Sequence, residues 1–406
     1  MRLRPGPAPP GLRRAAGVIA SGAVGLLLGA GATLAISPAP PPPGSGASLG
    51  ASRVPTVPAA ASTFLAWTPG GLPSGFRRAL TELPGIRRAV VVRSDVAWLT
   101  GSTSASGEVA DRPPAGYAIP LEVAAVKPSE YARFVPPADR GTLALLGDGG
   151  GILGASSARL RGLGPGAVLR FGPVPVPVIA VWPDELVGAS ELLVARDLGR
   201  RLGVRHDRYA LIQPRGEPTE RELARLLREA LPADLPLQVR APGETPYFRQ
   251  GDAVLPPVAL KQLFGEFAAR PDPDRRGYLL IDPAWERTHI ATERVPLLGR
   301  VTCHVAILPQ LRGAMRELLA LGLEHTVRSF SGCYARRFAN RDPSQAISHH
   351  TWGVAIDLNV PQNPYGAPPN QDPGLVAVME RWGFIWGGTF ALPDGMHFEY
   401  HRPPER

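Results

Sequence analysis

A run of 22 uncharged residues, "AAGVIASGAVGLLLGAGATLAI" at positions 15–36, constrains this 406-residue chain more than any other stretch. As a helix it would measure about 33 Å, against a bilayer hydrocarbon core of roughly 30 Å. Such a segment belongs in a membrane or in an export signal. Arg2, Arg4, Arg13 and Arg14 come before it, and no further Lys or Arg occurs until Arg53. That asymmetry predicts residues 1–14 in the cytoplasm and everything after residue 36 outside, as a single-pass protein of the cell membrane. Ala30 and Ala32 leave a cleaved, secreted form open, but a typical signal core is shorter than this run, which favours the anchor. Gly25 and Gly29 form a GxxxG pair that would pack two such helices; a glycine-rich segment produces the same spacing by chance.

Residues 37–62 are mostly proline, glycine, serine and alanine, with little to bury, and read as an extended linker. The chain as a whole is 44% hydrophobic and 19% charged, which suits globular folding once the anchor and linker are set aside. Its net charge of +9 comes from arginines spread along the chain. They are neither blocked together nor interleaved with aromatics, which argues against nucleic acid and for a basic surface near an anionic polymer or membrane. An arginine-biased composition with no partner explains the charge equally well. Cys303 and Cys333 are the only cysteines. Paired, they would constrain the unfolded chain by roughly 3 to 4 kcal/mol; as two buried thiols they would need no partner.

Two α+β domains are expected after the linker, at 63–244 and 245–406. In the first, residues 87–99 and 176–182 read as strands bounded by Pro and Gly. Residues 219–231 read as a helix with Thr219 as N-cap and Leu223, Leu226, Leu227 and Leu231 along one face. "GDGGGILG" (147–154) lacks the Lys and Ser/Thr of a phosphate loop and reads as a flexible turn. The stretch 155–204, where a short helix leads into Leu-Gly-x-Gly and a strand, resembles the extracytoplasmic domains of ABC-type permeases. That resemblance implies a binding or scaffolding module with a possible protein partner. In the second domain, residues 309–323 read as a helix with Leu311, Met315, Leu318 and Leu319 inward and Gly322 near its end. Strands are expected at 325–330, 354–358 and 396–400, with a helix at 375–382, making a small antiparallel sheet.

Chemistry concentrates in "SHHTWGVAID" (348–357) and "PDGMHFEY" (393–400). On a strand at 354–358, Asp357 would stand on the face opposite Val354, Ile356 and Leu358, a carboxylate that needs a cation or donors to receive it. His397 would sit on a second strand with Glu399 on its side and Asp394 in the preceding turn. Two histidines and a carboxylate with an open fourth position make a catalytic zinc site, and a nearby unligated carboxylate would activate water. Spacing alone does not choose between His349 and His350.

The combination S-x-H-x-x-G-x-A-x-D followed by D-x-x-H resembles the zinc-dependent D-alanyl-D-alanine carboxypeptidases and L-alanyl-D-glutamate endopeptidases of peptidoglycan metabolism. The resemblance runs from about residue 255 to 400. It implies His350, Asp357 and His397 as ligands of Zn2+, His349 as the variable neighbour, and Asp394 as general base and then proton donor to the leaving amine. It also implies an arginine in "SGCYARRFANRD" that holds the oxyanion or the substrate carbonyl; Arg337 is favoured, with Arg336 beside it. Within the family an Asp at the position of Asp394 goes with endopeptidases that cut stem peptides, so this chain is read as an endopeptidase. D-alanyl-D-alanine carboxypeptidase is the alternative, and an inactive peptidase fold that binds wall or regulates is the alternative of another class. Glu399 reads as an exposed strand position or a partner of a histidine. Trp352, Trp382 and Trp386 read as core or cleft wall.

Overall fold

The strand Ile86–Leu99 runs between the cores of the molecule. Val90 and Val92 face one core and Val91 a second, while Ala97 and Leu99 enter a third. Val96 and Trp98 pack against the core of the C-terminal region. A β-branched run supplies the extended backbone, and alternation divides its side chains between faces. This computed structural model describes residues 62–188, 190–232, 235–242 and 255–404. The apolar segment 15–36, the linker as far as residue 61 and the expected domain boundary at 244–245 lie outside them. No described helix is long and apolar enough to cross a membrane.

Ile86–Leu99 pairs antiparallel with Asp207–Pro214 through its first half and with Ile119–Val126 through its second. Among the described residues eleven strands join this mixed sheet, with Gln238–Arg240 at one edge and Val109–Asp111 at the other. The helix Glu220–Arg228 has the expected start, a capping box in which Thr219 and Glu222 satisfy each other's backbone N–H. The glycine-rich stretch is not a loop throughout. Gly151–Gly154 is a fully buried strand between Val174–Trp182 and Leu192–Ala195. Glycine is there for closeness, because a Cβ on Gly151 would lie 2.7 Å from a methyl of Leu192.

The C-terminal region packs around the helix Leu308–Ala320. Leu311, Met315 and Leu318 are buried as expected, but Leu319 is 45% exposed, since the buried stripe follows 308, 311, 315 and 318 and leaves 319 a step around the helix. A four-stranded antiparallel sheet lies beside it in the order Phe330–Gly332, Ala355–Leu358, His397–Tyr400, Phe384–Trp386. The strand expected at 325–330 is instead a 3-10 turn, Glu324–Thr326, and extended chain. The N–H groups of Arg328 and Ser329 donate to the Asn359 side chain at 2.7 and 3.0 Å, so they are spent before a ladder can use them. Cys303 and Cys333 are joined in a disulfide, their Cα atoms 5.4 Å apart.

Where the large sheet meets the helix Pro257–Phe264, five charged side chains are gathered. Arg161 contacts Asp111 at 2.9 Å, Glu191 at 3.3 Å and Glu266 at 2.5 Å. Lys261 contacts Glu191 at 2.6 Å, Glu266 at 3.0 Å and the carbonyl of Pro120 at 2.6 Å. Arg161 also meets both oxygens of Glu266, the bidentate geometry that fixes a guanidinium most firmly.

Candidate metal centre

The motif residues that carry no chemistry build the turn that presents the one that does. Residues His349–Trp352 form a 3-10 turn whose N-terminus is capped by the Ser348 hydroxyl, accepting from His350 N–H. The turn closes on Gly353, whose φ of 69° favours glycine. The chain then enters the strand Ala355–Leu358, where Asp357 lies directly opposite His397 of the neighbouring strand. A turn and a cross-strand pair thus bring together residues up to 47 positions apart in sequence.

Single ligand atoms of His350, Asp357 and His397 all lie within 4.8 Å of one another. Asp357 Oδ1 is 3.3 Å from His350 Nε2 and 3.2 Å from His397 Nδ1. The outer nitrogen of each ring is engaged elsewhere: His350 Nδ1 is 2.8 Å from the Cys333 carbonyl, and His397 Nε2 is 3.3 Å from Glu399 Oε2. Those contacts fix ring orientation and leave Nε2 of His350 and Nδ1 of His397 facing the same point. His350 Nε2 is buried without a hydrogen-bond partner, as is Asp394 Oδ1. An orphaned buried nitrogen beside a second imidazole and a carboxylate is a donor set that fits a divalent metal.

The charged groups of the site are strongly coupled to one another. Burial works against a charged ring at His397, yet Asp357 and Glu399 outweigh it and hold its pKa up at about 10. Burial opposes the charge on Asp357 too, and both histidines bring it far below the ordinary carboxylate range. Asp394 behaves in the opposite way. Burial raises its pKa, the neighbouring Asp357 adds to the rise, and His397 only partly opposes it.

Arg337 lines the same cavity as Asp357 and Asp394, whereas its neighbour Arg336 is exposed and pairs with Glu286 at 3.4 Å. Burial lowers the Arg337 pKa and Asp357 draws it back up, which places the guanidinium within the field of the site. His349 is not one of the three clustered residues, and its Nδ1 lies 2.8 Å from Glu399 Oε2. Glu399 is therefore buried between two histidines, and its pKa falls despite burial. Its i+2 spacing from His397 was the sequence signal for a partner; the pairing with His349 had none. Trp352 is core, while Trp382 donates to Glu317 and Trp386 to the Gly395 carbonyl.

The cavity in front of these groups measures about 740 Å³. Part of its wall comes from the large sheet, through Trp67, Asp95 and Arg208, and from Gly70 in the turn after Trp67. Arg208 donates to Ser94 O at 2.8 Å, to Gly70 O at 3.1 Å and to Asp95 at 2.7 Å, and also to the Ser344 carbonyl, so it ties this wall to the loop that precedes the motif. A cleft of this size at a junction between two folded regions is a usual place for a small ligand or a peptide segment.

Residues 341–400 match the peptidase M15 family model described as D-alanyl-D-alanine carboxypeptidase. The match contains His350, Asp357, Asp394 and His397 and stops short of Arg337. No curated protein matches the chain. Among solved structures, the middle region resembles the periplasmic region of MacB from Actinobacillus actinomycetemcomitans, at 11% identity, with 46% of this chain and 92% of that one covered and a TM-score of 0.29. It also resembles the extracellular domain of the noncanonic ABC-type transporter YknZ from Gram-positive bacteria, at 17% identity, with 44% and 99% covered and a TM-score of 0.28.

Proposed function

We propose that this chain is a zinc-dependent peptidase that hydrolyses peptide bonds in peptidoglycan stem peptides, held outside the cell membrane by residues 15–36. One observation carries the reading: two imidazole nitrogens and a carboxylate face one point, with an unpartnered acid and a guanidinium in the same cavity. His350, Asp357 and His397 would hold Zn2+, which when bound supplies Lewis acidity for a carbonyl and lowers the pKa of water. Asp394 takes a proton from the attacking water and returns it to the leaving amine. Its raised pKa suits both halves of that task, because a base must also be able to give the proton back. Arg337 donates toward the carbonyl oxygen as negative charge grows there.

Asp394 in place of Glu favours cleavage within the stem, as in the endopeptidases. The description of the matched family favours removal of a terminal D-alanine. Digestion of defined muropeptides by the zinc-loaded full chain separates the two by product mass. Loss of an internal fragment supports the first and loss of one alanine the second, in both cases abolished by a chelator and restored by zinc. Intact muropeptides after incubation with folded, zinc-loaded protein would sink the enzymatic reading and leave a binding or regulatory protein, for which the middle domain would recruit a partner.

A further inference from the structure

Arg208 stands on the strand Asp207–Pro214 of the large sheet, outside the matched residues 341–400, yet it bonds to the segment that leads into the metal motif. Among the described residues it has four acceptors, and three are local: the carbonyls of Ser94 and Gly70 and the carboxylate of Asp95. Asp95 is held in its turn. Its Oδ2 accepts from the backbone N–H of Arg205 at 2.6 Å and of His206 at 3.0 Å, and its Oδ1 lies 2.8 Å from His206 Nδ1. The guanidinium is buried and planar, so these contacts leave it one orientation. The fourth acceptor, the Ser344 carbonyl, therefore meets a donor whose place is already set.

Ser344 belongs to a stretch that doubles back on itself, residues 337–348. Phe338 and Ile347 pair across it, Ala339 N–H donates to the Ala346 carbonyl at 2.8 Å, and Ser348 N–H donates to the Arg337 carbonyl at 3.1 Å. Its base thus sets Arg337 beside Ser348, the cap of the His350 turn. Its far end does not hold itself. Asn340 and Arg341 have left-handed backbones, φ 53° and 56°, which non-glycine residues keep only where their surroundings enforce it. Gly277 supplies one side of that enforcement, packing so closely that a Cβ on it would lie 1.9 Å from the Arg341 carbonyl oxygen. The large sheet supplies the other. Arg208 holds Ser344, and the Gln345 side chain lies 3.7 Å from where a Cβ on Gly70 would stand.

We infer that Arg208 is a positioning residue of the metal centre: it fixes residues 337–348 against the large sheet and, through them, the place of Arg337 in the cleft. The inference rests on the proposed peptidase function and deepens it, because it makes the large sheet part of the peptidase site. The metal ligands are aimed independently of this hold. His350 takes its orientation from the Cys333 carbonyl, and Asp357 and His397 are set by the pairing of their strands. Losing Arg208 should therefore separate metal binding from turnover.

The test compares the zinc-loaded full chain with its Arg208→Gln and Arg208→Lys variants. In hydrogen exchange, the amides of Ala339, Gln345 and Ser348 should exchange at least about tenfold faster in Arg208→Gln, with those of Ala355–Leu358 unchanged. Zinc affinity by chelator competition should be unchanged, while kcat on the muropeptide that the unmutated chain cleaves should fall about ten- to a hundredfold. Arg208→Lys, which keeps the charge beside Asp95 but loses the planar fork, should recover part of both. In an Arg337→Gln background, Arg208→Gln should cost less than about threefold, since the group it positions is already gone. Unchanged exchange across 337–348 overturns the hold, whatever the activity. Losses that multiply in the double variant overturn the route through Arg337. Should Arg208→Gln not fold, exchange in Arg208→Lys decides in the same way. A chain that cleaves no muropeptide loses the peptidase reading and the role in turnover with it, while the exchange rates still decide whether Arg208 holds the segment.

Discussion

Arg161, Lys261 and their carboxylates at the junction with the large sheet are as buried as the groups of the metal centre. Glu191 is 1% exposed and Lys261 2%, against 3% for both His350 and Glu399. At the junction every charge is met, Arg161 by three carboxylates and Lys261 by two carboxylates and a carbonyl. In the cleft, His350 Nε2 and Asp394 Oδ1 are buried without hydrogen bonds, and among the described residues Arg337 makes no ion pair. Burial therefore does not separate architecture from chemistry in this molecule. Completeness of partnering does. A closed network has spent its charges on holding positions, and an open one keeps them available to a ligand.

The contrast breaks most readily at its reactive end. Asp394→Asn should cut turnover by about a thousandfold while zinc affinity, measured by chelator competition, is kept. The same change should raise folding stability at neutral pH. The folded pKa of Asp394 lies above its unfolded value, so the folded state holds its proton longer and loses stability as pH rises through that window; a neutral side chain escapes the loss. Urea unfolding that shows the variant less stable at pH 7 than the parent would contradict this account of an acid kept for function.

Lys261→Met tests the other end. It leaves Glu191 buried and short of a partner, and should cost about 3 to 5 kcal/mol of stability with zinc affinity untouched. A variant with unchanged stability but altered zinc binding would mean that the two networks are coupled, and the contrast drawn between them would fail. A smaller effect is expected from Glu399→Gln, which weakens the support of His397 from behind. Zinc affinity should fall about ten- to a hundredfold, with peptide discrimination preserved.

The same contrast accounts for what could be read from the sequence. Ser348, His350, Gly353 and Asp357 belong to one turn and one strand, so their chemistry and its scaffold share ten consecutive residues, and Asp394 with His397 repeats the pattern in four. The junction network gathers Asp111, Arg161, Glu191, Lys261 and Glu266 from a strand, two helices and two connecting segments, and apart from the short step from Lys261 to Glu266 they are scattered along the chain. Glu399 and His349 meet only because strand register brings 399 opposite 355. The buried strand Gly151–Gly154 was hidden by composition, since glycine chosen for close packing looks like glycine chosen for a turn. Leu319 is apolar yet lies off the buried stripe, because the helical step carries it away from the face of Leu308, Leu311, Met315 and Leu318.

Cys333 holds two positions at once. Its sulfur closes the thirty-residue loop to Cys303, and its carbonyl receives His350 Nδ1. Oxidation and the aiming of a metal ligand are thereby tied into one event of maturation. Reducing the disulfide should therefore loosen the Cys333 carbonyl and, with it, the orientation of the His350 ring.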